Sequence, residues 1–141
     1  MQRAVEAERP DRVFHLGDMT DDGEKLQALY PKLPMEQVRG NCDGWGEDPP
    51  EEKLVLLGGK KLWLLHGHTY RVKVGIGLLE MAAREKEVDG VFFGHTHEPL
   101  CYLNGSVWVV NPGTIRGFPQ ATYTVVDIVD GKMNCRMVEI K

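Results

Sequence analysis

Two short apolar runs each close on a histidine doublet, and this repetition constrains the fold more than any other feature of the chain. Lys61-Leu62-Trp63-Leu64-Leu65 runs into His66-Gly67-His68, and Val91-Phe92-Phe93 runs into Gly94-His95-Thr96-His97. Four of the five histidines lie in these two places. Side chains on a strand alternate with period two, so a His-x-His at a strand end turns both imidazoles to the same side. The glycine beside each pair removes bulk and lets backbone or substrate come close. One doublet is compatible with ordinary, locally satisfied histidines. Two doublets on two different strands are well arranged to hold a metal cluster.

The rest of the chain supplies strands and helices in alternation. Strands are expected at residues 12–16 and 35–39, delivering Gly17-Asp18 and Gly40-Asn41-Cys42-Asp43, with a helix at 23–29 between them. Residues 44–52 are turn-rich, because Pro49-Pro50 excludes regular structure. Residues 53–57 and 60–65 form a hairpin around Gly58-Gly59. Ile76, Leu79 and Ala83 have helical spacing and predict a helix over 75–86, followed by a buried strand at 89–93. Residues 100–103 and 107–110 read as a hairpin around Asn104-Gly105, and 122–129 and 133–140 as another around Asp130-Gly131. Alternation followed by hairpins predicts an α/β layered fold with mixed sheets. Polar residues past the carboxyl ends of such strands converge on one crevice. A fifth strand end, Asn111-Pro112-Gly113-Thr114, belongs to the same set.

Composition narrows the function classes. With 141 residues, 42% hydrophobic and 27% charged, the chain is a single domain, residues 1–141, with enough core to fold without staples. A net charge of −4 with interspersed signs argues against strong nucleic-acid binding or a polybasic membrane contact. No apolar run is long enough to span a bilayer and no signal peptide is visible. Three scattered cysteines without a Cys-x-x-Cys fit a reducing, cytoplasmic setting.

Asp18, Asn41, His66, His95 and His97 offer oxygen and imidazole donors without a thiolate, a set suited to an open catalytic site for first-row divalent ions. A carboxylate can bridge two ions roughly 3.5–4 Å apart, which together clamp a phosphoryl group. In order, spacing and strand context, the five strand-end motifs resemble those of the calcineurin-like metallophosphoesterases. The likeness is greatest to the small bacterial and archaeal phosphodiesterases, which also resemble the Vps29 subunit of retromer. The resemblance implies a four-layer α/β/β/α sandwich of two mixed sheets and a dinuclear centre. By position, Asp18 is expected to bridge the ions, Asn41, His66 and His95 to complete the second site, and His97 to serve the first. Asp43 is expected to orient its neighbours, and His68 to touch phosphate or carry a proton. Residues 111–114 are expected to shape the crevice wall. The metal expected is divalent, manganese foremost, with nickel, iron, zinc or cobalt also compatible. The expected activity is hydrolysis of a small phosphodiester. The alternative is a non-catalytic scaffold that docks a partner through an apolar patch.

Two departures from the family pattern matter. Cys42 stands where many relatives carry the histidine that protonates the leaving oxygen, which suits diesters and good leaving groups. The pattern also opens with a strand ending in Asp-x-His, and none precedes Asp18; residues 1–8 read as the tail of the helix that would follow it. The first strand is thus expected to be missing, the domain N-terminally truncated relative to the family. A longer native protein, a one-metal enzyme and a degenerate relative are the three explanations. An unfilled sheet position would favour pairing with another chain, a homo-oligomer.

Overall fold

The computed structural model describes residues 2–17, 20–40, 50–114 and 121–140. Helix and strand alternate first: α1 (Gln2–Glu8), β1 (Val13–His15), α2 (Thr20–Leu29) and β2 (Met35–Gln37). A hairpin follows, β3 (Glu52–Leu57) and β4 (Lys60–Leu65), then α3 (Gly77–Glu85) and β5 (Gly90–Phe92). Two more hairpins complete the chain, β6 (Leu100–Asn104) with β7 (Val107–Asn111) and β8 (Ala121–Val129) with β9 (Lys132–Ile140).

The order β3-β4-β5-β7-β6 makes a five-stranded mixed sheet, parallel where β4, β5 and β7 adjoin and antiparallel at both margins. Its central strands are apolar on both faces because both faces are covered. Trp63, Leu65, Val91, Phe93, Val107 and Val109 point to one side and pack with Leu79 and Ala83 of α3. Leu62, Leu64, Phe92 and Val110, displaced by one residue, point to the other. There they meet Val38, Cys135 and the partly buried Phe14, Leu16, Val126 and Met133. Each fully buried large side chain of this kind contributes about 1.5–3 kcal/mol relative to exposure.

The second layer consists of two pairs, β1–β2 parallel and β8–β9 antiparallel. Among the described residues the two pairs are separate sheets, where one continuous mixed sheet was expected. β1 and β2 pair over three residues each. Tyr123 and Arg136 lie on the face of β8–β9 opposite Val126 and Cys135. Both bond Glu8, which places α1 outside that layer and completes the α/β/β/α order.

The hairpin between β6 and β7 turns at Gly105 and Ser106, one residue later than the Asn-Gly signal implies, with Asn104 paired to Val107. Asn104 is held in the strand because its amide donates to Glu80 and accepts from Arg84 of α3. Gly105, at φ 64°, takes the left-handed corner. Among the described residues no helix is long and apolar enough to cross a membrane.

Candidate metal centre

Because β4, β5 and β7 run parallel, their carboxyl ends share one edge of the sheet. His66 follows β4, Gly94 and His95 follow β5, and Asn111 closes β7. Across the layer interface, β1 leads to Leu16 and Gly17 and β2 leads to Gly40. The first two ends are tied together directly, the Gly94 N–H donating to the His66 carbonyl at 3.0 Å.

His66 is the centre of this edge, 1% exposed. Its Nδ1 lies 2.8 Å from the Leu16 carbonyl oxygen. A carbonyl only accepts, so Nδ1 carries the proton and Nε2 is bare in the neutral ring. That bare nitrogen lies 3.1 Å from Nδ1 of His95. The two rings stand nearly edge to face, with centroids 4.9 Å apart. His68 joins them at 5.4 Å from His66 and 6.1 Å from His95. Its own Nδ1 is buried and has no hydrogen-bond partner among the described residues. Burial, with Glu52 nearby, pushes the Tyr70 phenol above its ordinary range, so Tyr70 stays protonated beside this cluster.

Two glycines make the close packing possible. Gly17 is at φ 101°, and a Cβ there would lie 2.6 Å from His66 Nδ1 and 2.9 Å from the Gly40 nitrogen. A Cβ on Gly94 would lie 3.2 Å from the Leu16 carbonyl oxygen that His66 uses.

The expectation that each doublet turns both its imidazoles to one side holds for the first, whose rings lie 5.4 Å apart, and needs correcting for the second. Both doublets lie beyond the paired residues of their strands, where alternation no longer governs direction. Gly67 has φ 102°, and His68 opens a 3-10 turn, His68–Tyr70. His95 and His97 both have positive φ, 68° and 60°. The convergence therefore crosses strands: His66, His68 and His95 gather, while His97 is exposed and stands outside the ring contacts among the described residues. Asp18, Asn41 and Asp43, with Cys42 and Trp45, lie outside the described residues. One contributor was hidden in the sequence, and a second was read there only as crevice wall. The Leu16 carbonyl orients His66, and the Asn111 amide bonds Gly94 and Thr96 of the histidine loop. Asn111 shares the parity of the buried Val107 and Val109, a signal of its burial beside the strand-end motif that already singled it out.

The imidazole pair fits a divalent ion. Two nitrogens held at about 2.1 Å from one ion lie roughly 3.0–3.4 Å apart, and the observed separation is 3.1 Å. His66 also gives its other N–H to a backbone carbonyl, as metal-bound imidazoles do. Ligation through Nδ1 of His95 places its remaining proton on Nε2. Among the described residues no group of three Asp, Glu, Cys or His side chains forms a complete donor set.

Residues 1–131 match the calcineurin-like phosphoesterase superfamily domain. The probable metallophosphoesterase YsnB of Bacillus subtilis is 33% identical over 107 residues, 75% of this chain and 60% of that protein. A predicted phosphoesterase of Streptococcus pneumoniae TIGR4 has a crystal structure that superposes with a TM-score of 0.78, covering 97% of this chain and 79% of that one at 27% identity. At lower identity the fold is shared with an archaeal phosphodiesterase, 23% identical with a TM-score of 0.68 over 96% of this chain and 88% of that one. It is shared also with a Vps29 variant from Entamoeba histolytica, 21% identical with a TM-score of 0.75 over 100% of this chain and 90% of that one. With a family match that spans nearly its whole length and a fold common to these structures, the chain belongs to the calcineurin-like phosphoesterase superfamily.

Proposed function

We propose that this chain is a metal-dependent phosphodiesterase acting on small, good-leaving-group diesters. The observation that carries the proposal is the imidazole pair at the sheet edge, His66 fixed in its tautomer by Leu16 and set 3.1 Å from His95. A divalent ion bound there, manganese foremost, would supply polarisation of a phosphoryl oxygen and activation of water. His66 and His95 would hold it together with Asn41 and Asp18, and His97 would serve the neighbouring position. Asp43 would orient these donors. His68 packs against both rings with a buried Nδ1 that has no partner among the described residues, and so offers a contact for a phosphate oxygen. Diesters are favoured by Cys42, a weak acid where a leaving group would need protonation, and by the likeness to the archaeal phosphodiesterase.

The test is turnover of an activated aryl phosphodiester before and after chelator treatment, with Mn²⁺ added back. Chelation should abolish turnover and Mn²⁺ restore it, while His95→Ala and Asn41→Ala each lose at least roughly 100-fold. Turnover indifferent to chelator and to both substitutions sinks the proposal. A specific surface favours the second reading, a docking scaffold. Val74 (90% exposed), Leu78 and Met81 line an open groove of roughly 660 Å³ along α3, flanked by Arg71 and Arg84. A folded chain that hydrolyses no phosphoester would favour that reading.

A further inference from the structure

Asn111 closes β7 with a fully buried side chain, a place where an amide persists only when its polar atoms are satisfied. Nδ2 donates to the Gly94 carbonyl at 3.0 Å and to Thr96 Oγ1 at 2.9 Å, and Oδ1 accepts the Gly113 N–H at 2.9 Å. The first two bonds grip the backbone on either side of His95. The segment they grip does not hold its shape for free. His95 and His97 both sit in the left-handed region, at φ 68° and 60°, which side chains other than glycine enter at a cost. Within the loop a tight turn from Thr96 N–H to the Gly94 carbonyl, 2.8 Å, and a bond from Glu98 N–H to Thr96 Oγ1, 3.2 Å, resist relaxation. Asn111 is anchored in turn by the end of the sheet, where Thr122 Oγ1 donates to the Pro112 carbonyl at 2.7 Å.

We infer that Asn111 is a positioning residue: by clamping Gly94 and Thr96 to the end of β7 it holds the His95 imidazole at binding distance from His66. The inference rests on the proposal that this edge binds a divalent ion. An amide is required because the clamp needs two donors and one acceptor on a short stem. Asparagine supplies all three. Aspartate keeps the shape and the acceptor for Gly113 but turns an oxygen towards the Gly94 carbonyl.

The experiment uses Asn111→Asp and Thr96→Val, with Mn²⁺ affinity measured by calorimetry, the absorption spectrum of the Co²⁺-loaded protein, and amide exchange of the metal-free protein. Asn111→Asp should weaken Mn²⁺ binding roughly 10–100-fold, the usual effect of losing a group that orients a ligand. It should also alter the Co²⁺ spectrum and speed exchange at residues 94–98 while leaving β3 and β4 unchanged. Thr96→Val, which keeps the bond to Gly94, should lose a smaller factor in the same direction. Wild-type affinity with an unaltered spectrum in Asn111→Asp overturns the positioning role and leaves the metal site standing. Should Asn111→Asp fail to fold, Thr96→Val decides, wild-type affinity again overturning the role. Wild-type protein that takes up neither Mn²⁺ nor Co²⁺ overturns the metal-site proposal, and the inference with it.

Discussion

At the scale of single residues, a tight constraint on the site is the absence of a side chain at Gly17. Its backbone sits at φ 101°, and the space a methyl group would fill is held by the His66 ring and the Gly40 amide nitrogen. Gly59 provides the control. It too has positive φ, 79°, yet nothing lies within 4 Å of the position a Cβ would take. Gly59→Ala should therefore cost only the backbone penalty, about 1 kcal/mol. Gly17→Ala adds overpacking against His66, worth about 1–3 kcal/mol more. Urea unfolding of the two variants measures the difference directly. Equal midpoints would show that His66 moves aside without cost, and that its bond to Leu16 does not fix it as described.

At the scale of elements, α1 is a helix of seven residues, too short to persist by its own hydrogen bonds. Its attachment runs through Glu8, whose carboxylate accepts from the Tyr123 hydroxyl at 2.9 Å and from the Arg136 guanidinium at 2.8 Å. The Tyr123 bond lowers the Glu8 pKa below its ordinary 4.5; burial opposes the shift and Arg136 reinforces it. A carboxylate whose pKa is depressed by folding adds stability that is complete above its unfolded value and is lost as pH falls through the folded one. Glu8→Gln should thus melt lower than wild type near pH 7, and the gap should close on acidification to about pH 3. A gap of constant size would mean that Glu8 contributes packing and no charge. This tie between the two ends of the chain was invisible in the sequence, because nothing local marks Glu8 as the partner of Tyr123. The strands were legible wherever the pattern was local: Gly58-Gly59 and Asp130-Gly131 turn the hairpins where expected. The β6–β7 turn was read one residue early because the bonds that hold Asn104 in the strand come from α3.

At the scale of the whole molecule, the candidate donors are spread from the end of β1 to the loop after β5. The parallel register of β4, β5 and β7 brings the histidine-bearing ends to one edge, and β1 and β2 meet it across the layer interface. That is why the histidines could be singled out in the sequence while their pairing could not. Period two governs side chains within a strand, and His66 meets His95 beyond two strands, through bonds to Leu16 and from Asn111. An ion held between such distant segments exists in the folded state alone, since the unfolded chain scatters its donors. Binding then stabilises the entire fold by mass action. Mn²⁺ at a hundred times its dissociation constant adds about 2.7 kcal/mol, which for a chain of this size raises the melting temperature by roughly 8 °C. His95→Ala removes a nitrogen from the ion without touching the apolar core, so it should erase the rise. Exposed Leu78→Ala should retain it. Thermal melts of the three proteins with and without Mn²⁺ provide the comparison. A wild-type melting temperature unmoved by Mn²⁺, or a rise of equal size in His95→Ala, would show that the sheet edge does not hold the ion through His95.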